Sequence, residues 1–442
     1  MSASADPTTT RIDPVGAPLL GRVLCPPDKS ISHRSALFAA MAEGTTTIDR
    51  YLVAQDTLST LGAIEALGAD VRRDGDRVVI HGVGLRGLKA AAGTIDVGNA
   101  GTLLRLIVGW IAGIPGLTAT LDGDASIRKR PMGRVMEPLA QMNAGLEATD
   151  GKFAPVHVTG GTLRAIEYTL PMASAQVKSC VLIAGMLADG ETTVVEPVAS
   201  RDHTERMLVA AGAPLTRSGD RISITTTELI SPGDLTVPGD PSSAAFPIAA
   251  ALLVPGSRVD VDEVSMNWTR AGFVHIARRM GASIEGPVEE PGTPHTTPET
   301  TATLSVSHGP LRGTTVDADE VPLAIDELPL VALLGCFAEL GEITTVKGAQ
   351  ELRVKETDRI AAVSEELGAL GGKITPTDDG FIVEGTGGLR GGTLHSRGDH
   401  RMAMIGALAG LASEEGVSVI DIEAAAVSYP TFLDDLAALR SR

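Results

Sequence analysis

Six short polar turns along the chain carry residue types that bind small anions. They are PPDKSISHR, VGNAGTLLR, LPMASAQVKS, VPGDPSSAAF, AIDELPL and RGDHRMAM. Each turn runs into small, mostly apolar residues that predict a helix, so each turn is expected at a helix N-terminus. Unpaired backbone N–H groups and the helix dipole make such ends favourable for phosphate and carboxylate groups.

The cations in these turns are the unusual feature. Asp240 and Ser242 are of types that ordinarily cap helices, and capping explains them without a ligand. Lys29 and Arg34 are different, because a cation at a helix start opposes the dipole, and a bound anion explains them better. Further cations, one turn into comparable helices, could converge on the same anionic ligand: Arg105, Lys178 and Arg401.

Other ligand-binding motifs fit poorly. The chain has no GxxxxGK[ST] sequence, so P-loop phosphoryl transfer is disfavoured, and GVGLRG lacks the βαβ context of a dinucleotide fingerprint. There is no HExxH sequence, and the histidines are scattered. For His33, His203 and His400, each close to an arginine, a supporting hydrogen bond is favoured over metal ligation.

Composition limits the class of protein. The net charge of −18 argues against a nucleic-acid binder, and two locally basic runs, SIRKRPMGR and ELRVKETDR, are either anion sites or solvated surface. No apolar run is long enough for a membrane span. The N-terminal MSASADPTTTR has no signal-peptide pattern and is interpreted as a short disordered lead, and the three cysteines form no CxxC pair. A cytoplasmic protein is expected.

An internal repeat predicts the fold class. Marker residues of the six turns (Lys29, Asn99, Ser174, Asp240, Asp326 and Asp399) are spaced by 66 to 86 residues. Between them recur an amphipathic helix, a glycine and two short strands, as in TLGAIEALGADVRRDGDRVVIHG. Six α/β units of this size exceed one ordinary domain, so we expect three units in each of two domains, with sheets around buried helices. The Pro- and Thr-rich residues 286–303 predict a surface insertion.

Eight motifs in order give a resemblance to a known family. They are PPDKSISHR, GNAGTLLR, KRPMGR, SAQVKS, RDHTE, VPGDPSSAAFP, ELRVKETDR and GDHRMAM. Together they closely resemble 3-phosphoshikimate 1-carboxyvinyltransferase, or EPSP synthase, over nearly the whole chain. The resemblance implies a two-domain inside-out α/β barrel, each domain having three βαβαββ repeats with helices inside and sheets outside. It places the first lobe at 25–238, the second at 1–24 plus 239–442, and the active site in the cleft between them.

The resemblance also implies a reaction. The enolpyruvyl group of phosphoenolpyruvate passes to the 5-hydroxyl of shikimate 3-phosphate, and orthophosphate leaves, on the route to chorismate and aromatic amino acids. No metal or organic cofactor is implied, and no nucleic-acid or membrane partner is expected. We expect a monomer. The resemblance also implies that glyphosate inhibits the protein and that an added methyl group at Gly101 weakens this inhibition.

Site residues follow motif by motif from the resemblance. The implied catalytic residues are Lys29, Asp326 as general base and Glu356 as proton donor to C3. The residues implied for shikimate 3-phosphate are Lys29, Ser30, Arg34, Ser174, Ala175, Gln176, Arg201, Asp326 and Lys355. Those implied for phosphoenolpyruvate are Lys29, Asn99, Gly101, Arg130, Gln176, Arg359 and Arg401. Guanidinium groups suit both its phosphate and its carboxylate, because they bind either in bidentate fashion.

Departures and alternatives remain. Many members have a lysine where AAVSYPTF here offers Val427 or Ser428, and Ala175 replaces a serine. Taken alone, ELRVKETDR would be interpreted as a surface helix with ion pairs one turn apart. Two alternative functions stay open: a UDP-N-acetylglucosamine enolpyruvyl transferase of the same fold, and a non-catalytic anion-binding module.

Overall fold

The computed structural model describes residues 8–440, which form two compact units. The N-terminal unit consists of Pro27–Pro238 and Gly292–Glu299. The C-terminal unit consists of the described residues up to Pro26, of Gly239–Pro291 and of the residues from Thr300 onward.

The helices and strands alternate along the chain. The α-helices are α1 (Lys29–Met41), α2 (Gln55–Ala66), α3 (Gly101–Ala112), α4 (Gly133–Gln141), α5 (Ala175–Gly185), α6 (His203–Ala210), α7 (Pro241–Leu253), α8 (Gly272–Arg279), α9 (Val321–Ala324), α10 (Leu328–Cys336), α11 (Arg359–Ala369), α12 (His400–Ala412) and α13 (Phe432–Arg440). Short 3-10 helices span Ile127–Lys129, Gln350–Val354 and Ile422–Val427.

The strands are short, as expected for a repeat of this size. They are β1 (Thr9–Ile12), β2 (Leu20–Leu24), β3 (Glu43–Asp49), β4 (Asp70–Asp74), β5 (Arg77–Val83), β6 (Ile95–Asp96), β7 (Thr118–Asp122), β8 (Gly145–Thr149), β9 (Phe153–Thr159), β10 (Glu167–Thr169), β11 (Glu191–Val195), β12 (Leu215–Ser218), β13 (Arg221–Thr225), β14 (Leu235–Thr236), β15 (Arg258–Ser265), β16 (Ser283–Glu285), β17 (Thr301–Ser307), β18 (Thr315–Val316), β19 (Ile343–Val346), β20 (Lys373–Thr377), β21 (Gly380–Glu384), β22 (Gly392–His395) and β23 (Val417–Ile420).

Each unit has three sheets with a shared pattern. The sheets of the N-terminal unit have the orders β14-β3-β5-β4, β6-β7-β9-β8 and β10-β11-β13-β12. Those of the C-terminal unit have the orders β16-β17-β15-β2, β18-β19-β21-β20 and β1-β23-β22. In the β10–β13 sheet, β10 pairs in parallel with β11, which pairs antiparallel with β13 of the β12–β13 hairpin. A helix joins the parallel strands, so the predicted six-repeat α/β fold is confirmed.

Two strands pair outside their own sequence repeat. Strand β2 precedes α1 but pairs in parallel with β15 of the C-terminal unit. Strand β14 precedes α7 but pairs in parallel with β3 of the N-terminal unit. The chain therefore leaves one unit after β2 and returns to it after β14.

The helices are central in each unit because their sequences are apolar on all sides. Every residue of α7 and of α10 is buried, and so are all but one of α3. The strands instead alternate between buried and exposed side chains, as the sheet of a covered core requires. Alanine, valine, leucine and isoleucine dominate both cores, which fits the 3% aromatic content.

All six polar turns lie at helix N-termini, as predicted. Asp240 caps α7 by accepting a hydrogen bond from the Ser242 N–H, at 2.8 Å, so the capping interpretation is confirmed there. Lys29 opens α1, and Asp326 lies between α9 and α10.

One sequence expectation differs from the structure. The first seven residues of the predicted disordered lead lie outside the described residues, but its last three residues, Thr9–Arg11, belong to β1, which pairs antiparallel with β23. The exposed edge of β23 explains this order, because it offers backbone partners to the TTRI segment.

The predicted surface insertion is confirmed, since none of residues 286–303 is buried. Within it, Gly292–Glu299 belongs to the N-terminal unit, where Glu299 Oε1 lies 2.6 Å from His203 Nδ1.

No helix of the described chain is both long enough and apolar enough to cross a bilayer.

Stability should depend on the central helices. Leu333 on α10 is 0% exposed, whereas Leu340 is 82% exposed. We expect Leu333→Ala to lower the free energy of unfolding by about 2–5 kcal/mol, because it leaves a cavity, and Leu340→Ala to change it by less than about 0.5 kcal/mol. Urea denaturation followed by circular dichroism measures both. Equal losses in the two variants would contradict the central position of α10.

Candidate active site

In the N-terminal unit, hydrogen bonds hold three helix N-termini side by side. Gln176 on α5 donates from Nε2 to Thr102 Oγ1 on α3, at 3.1 Å. Arg34 on α1 donates from Nη2 to Ser179 Oγ on α5, at 3.0 Å, and from Nε to Thr204 Oγ1 on α6, at 2.7 Å. The first turns of α1, α3 and α5 therefore lie at the same end of the unit.

Most of the predicted residues of the first lobe lie at this end. Helix starts or the turns before them carry Lys29, Ser30, Asn99, Gly101, Ser174, Ala175 and Gln176. Arg201 lies on the turn between β11 and α6. The region around these residues is called the N-terminal anion site below.

Lys29 keeps an accessible ammonium beside a buried carboxylate. Its Nζ lies 3.2 Å from Asp56 Oδ2, and its side chain is 22% exposed. The neighbouring imidazole of His33 is buried and accepts from or donates to Thr60 Oγ1 at 2.6 Å. Burial, with the charges of Lys29 and Arg34, holds the pKa of His33 well below its ordinary value of 6.5. Positive charge at this helix start is therefore carried by Lys29 and Arg34 at neutral pH.

Arg130 faces the start of α3 through a polar loop. Its Nη2 donates to Asn99 Oδ1 at 2.7 Å and to Ser126 Oγ at 3.2 Å. Asn99 in turn donates from Nδ2 to Asp124 Oδ2, at 2.7 Å. A methyl group added to Gly101 would lie 3.2 Å from Arg130 Nη1, so glycine leaves room for the guanidinium.

The predicted cations differ in accessibility. The Lys178 side chain is 0% exposed and pairs with Glu196 and Glu205, each at 2.7 Å. The expectation that Lys178 could meet an anionic ligand is therefore wrong, because its charge is neutralised inside the unit. Arg34 is also buried, and it donates from Nη1 to the Ser30 carbonyl oxygen, at 3.0 Å.

In the C-terminal unit, three cations surround one carboxylate. Asp326 Oδ1 lies 3.3 Å from Arg359 Nη1 and 3.9 Å from Lys355 Nζ. Asp326 Oδ2 lies 3.8 Å from Arg401 Nη2. Four residues predicted from three separate motifs thus lie together, and we call them the C-terminal anion site.

Arg359 is the most tightly held of these cations. It is 1% exposed, its Nε donates to Asp399 Oδ2 at 2.8 Å, and its Nη2 donates to Glu356 Oε2 at 2.7 Å. Burial lowers the pKa of Arg359, but Asp399 and Glu356 raise it more, so it lies above its ordinary value. The surface-helix interpretation of ELRVKETDR is wrong, because residues 355–358 interrupt the helix between the 3-10 helix Gln350–Val354 and α11, and because Arg359 is buried.

Arg401 keeps unused hydrogen-bonding capacity. It is 7% exposed, and its ion pairs with Asp326 and Glu327 are both 3.8 Å long, beyond hydrogen-bond distance. Within residues 8–440 its buried Nε has no hydrogen-bond partner. Since buried donors are ordinarily satisfied, a buried guanidinium with such capacity suits an anionic ligand.

The sequence motifs did not identify several carboxylates that contact the predicted cations of these two sites. Asp56 and Asp399 pair with Lys29 and Arg359, and Glu327 faces Arg401. Burial raises the pKa of Asp399, but Arg359 lowers it more, so the carboxyl titrates below its ordinary value of 3.8. Asp399 was a marker of the sixth turn, but its sequence context indicated only a helix cap. Val427 lies at the end of the 3-10 helix Ile422–Val427, and no lysine or arginine stands between Arg401 and Arg440 in the sequence, so no neighbour along the chain replaces the missing lysine.

Asp202, His203 and Glu299 form a cluster with donor atoms within 4.8 Å of one another. His203 Nδ1 lies 2.6 Å from Glu299 Oε1, and Arg206 Nε donates to Asp202 Oδ2 at 3.0 Å. The hydrogen bond between His203 and Glu299 and the ion pair between Arg206 and Asp202 account for this cluster within the protein.

Fold and sites together define a class of protein: a two-unit, six-repeat α/β protein with cations at the N-termini of its central helices. Comparisons with known proteins agree. The family model of EPSP synthase (3-phosphoshikimate 1-carboxyvinyltransferase) matches residues 15–436. The chain belongs to this family.

Similar proteins include curated relatives and solved structures. A 3-phosphoshikimate 1-carboxyvinyltransferase of Bacillus thuringiensis subsp. konkukian is 45% identical over 427 residues, covering 96% of this chain and 98% of the relative. One of Bacillus cereus is 44% identical over the same share of each chain. The structure of EPSP synthase from Acinetobacter baumannii has a TM-score of 0.85 at 39% identity, covering 98% of each chain. The family resemblance found in the sequence is confirmed.

His33 should make stability depend on pH. Because its folded-state pKa is lowered, the unfolded chain takes up the proton first, so stability is complete above about pH 6.5 and falls as the pH drops below it. Between pH 7.5 and 5.5, wild type should lose about 1 kcal/mol more stability than His33→Gln. Urea denaturation at several pH values measures the slope. His81→Gln, at an exposed histidine on β5, is the control. A slope that His33→Gln leaves unchanged would contradict the neutral buried imidazole.

Proposed function

We propose that this protein transfers the enolpyruvyl group of phosphoenolpyruvate to the 5-hydroxyl of shikimate 3-phosphate, releasing orthophosphate and forming 5-enolpyruvylshikimate 3-phosphate. Family membership over the whole matched region supports this reaction. The observation that carries it is Asp326, an acidic side chain surrounded by Lys355, Arg359 and Arg401. Such a carboxylate is placed to act as a base beside groups that hold anions.

We further propose that the two units are the two lobes. The expected bounds, 25–238 and 1–24 plus 239–442, then hold except that the first lobe begins at Pro27 and also includes residues 292–299. The N-terminal and C-terminal anion sites then act on one pair of substrates in the cleft between the lobes. Shikimate 3-phosphate is held by Ser30, Arg34, Ser174, Ala175, Gln176 and Arg201, with Lys355 and Asp326 orienting its hydroxyls. Phosphoenolpyruvate is held by Asn99, Gly101, Arg130, Gln176, Arg359 and Arg401. Lys29 contacts both substrates.

The proton transfers in this proposal balance. Glu356 donates a proton to C3 of phosphoenolpyruvate, so C2 becomes electrophilic, and Asp326 accepts the proton of the attacking 5-hydroxyl. The tetrahedral adduct then returns a C3 proton to Glu356 and expels its phosphate, which takes up the proton held by Asp326, and the double bond is restored. Glu356 accepts a hydrogen bond from Arg359, so it has to leave that contact before it can donate its proton. Lys29 shares the proton transfer from the opposite site.

The carboxylates that pair with Arg359 also have a role in the proposed binding of substrate. A bound phosphate or carboxylate competes with Asp326 and Glu356 for the Arg359 guanidinium. Asp399, which is fully buried, keeps its bidentate contact with the same side chain. Arg359 therefore stays in place, held by Asp399, while its contacts with Asp326 and Glu356 are replaced by contacts with the bound anion. We also propose that the protein is a monomer and works in the cytoplasm, where both substrates would be available.

A phosphate-release assay separates the candidate functions. We expect orthophosphate to appear only when phosphoenolpyruvate and shikimate 3-phosphate are both present. Release only with a UDP-sugar acceptor would favour the UDP-N-acetylglucosamine enolpyruvyl transferase, and no release with either acceptor would favour a non-catalytic anion-binding module. Asp326→Asn is the matched variant, because it keeps the shape of the side chain and removes the base.

Gly101 should control inhibition by glyphosate. A methyl group there would lie 2.8 Å from Arg105 Nη1 and 3.2 Å from Arg130 Nη1, so both guanidinium groups would have to shift. We expect Gly101→Ala to raise the glyphosate concentration needed for half-inhibition by about tenfold or more, which corresponds to losing about one good contact. Gly62→Ala is the control, since its methyl group would meet nothing within 4 Å. Wild-type enzyme that ignores glyphosate, or equal effects of the two variants, would contradict the prediction.

A further inference from the structure

A fully buried ion-pair cluster lies in the N-terminal unit and contacts the turn that bears Arg201. Lys178 on α5 lies 2.7 Å from Glu196 Oε1 and 2.7 Å from Glu205 Oε1, and all three side chains are 0% exposed. Arg217 on β12 approaches Glu196 Oε2 at 3.6 Å. The sequence motifs of the family resemblance assigned no role to the two carboxylates.

Stability alone explains this cluster poorly. Removing two carboxylates and an ammonium from water is costly, and apolar side chains of the same volume often stabilise a core as well or better. Burial raises the pKa of Glu205, although Lys178 opposes that shift. The contacts of these three charged side chains therefore matter more for their role than their contribution to stability does.

Glu196 is the member of the cluster that reaches the turn bearing Arg201. Its Oε1 accepts a hydrogen bond from the Ser200 N–H, at 3.1 Å, and from Ser200 Oγ, at 2.5 Å. Ser200 is buried and directly precedes Arg201. The turn continues into α6, where Asp202 accepts hydrogen bonds from Arg206.

Glu205 is a useful comparison for Glu196. It contacts the same ammonium at the same distance and is equally buried. Within residues 8–440, however, its carboxylate has no hydrogen-bond partner in the turn that bears Arg201. The two carboxylates thus share an environment and differ in whether they hold that turn.

We propose that Glu196 is a positioning residue for shikimate 3-phosphate. Lys178 fixes it from α5, whose first turn carries Ser174 and Gln176, and Glu196 fixes Ser200 and thereby the backbone of Arg201. The cluster therefore sets the distance between the first turn of α5 and the turn that bears Arg201, both of which bind shikimate 3-phosphate in the proposed function. This inference rests on the proposed function, in which Arg201 binds that phosphate.

The test compares Glu196→Ala, Glu196→Gln and Glu205→Gln in the full-length protein. Phosphate release gives kcat and the KM for each substrate, calorimetry gives the affinity for shikimate 3-phosphate alone, and thermal melts monitor folding. Glu196→Ala should raise the KM for shikimate 3-phosphate about tenfold or more, since it removes two charge-assisted hydrogen bonds, and leave the KM for phosphoenolpyruvate within about twofold. Glu196→Gln, whose amide oxygen can accept both bonds, should stay within about threefold of wild type.

Glu205→Gln should lower the melting temperature without a selective change in either KM. If Glu196→Ala does not fold, Ser200→Ala removes only the hydroxyl bond and should raise the KM for shikimate 3-phosphate severalfold. Equal effects of the Glu196 and Glu205 variants, or parallel rises in both KM values, would overturn the positioning role while wild-type activity stands. Wild type that neither binds shikimate 3-phosphate nor releases phosphate would instead overturn the proposed function, and this inference with it.

Discussion

The two anion sites depend on one physical constraint, which is that a cation at a helix N-terminus needs negative charge close by. A lysine or arginine there opposes the helix dipole, so it needs negative charge close by. Lys29 opens α1 beside Asp56, and Arg359 opens α11 beside Asp399. These internal carboxylates keep the cations in place, and the phosphate and carboxylate groups of the proposed substrates supply the remaining negative charge. A protein with a net charge of −18 can thus hold strongly anionic ligands.

The repeat fold supplies several such helix starts in one unit. Each repeat places a helix behind a parallel pair of strands, and apolar sequences on all sides bury these helices in the core. Hydrogen bonds from Arg34 and Gln176 then hold the first turns of α1, α3 and α5 together. Short strands and small residues suffice for this arrangement, because the helices need only close packing with the covering sheets.

Sequence alone predicted the features that depend on local pattern. Helix starts, the repeat and the caps follow from residue types at fixed spacing, so Asp240 was correctly interpreted as a cap. Partnerships across the fold were not predictable, since Lys178 has the same local pattern as Arg401 but meets two buried glutamates. Strand β1 was missed because its order comes from the edge of β23, far along the chain. The Asp399 contact with Arg359 was hidden for the same reason, as the two lie in different repeats.

The central proposal is that one ligand binds the cations of both anion sites, and a double-mutant cycle tests it most directly. Arg130→Met, Arg401→Met and the double variant are compared by the binding of phosphoenolpyruvate in the presence of shikimate 3-phosphate. A shared ligand predicts that each single variant weakens binding at least tenfold and that the double variant is far from additive. Normal binding after either single substitution would contradict the claim.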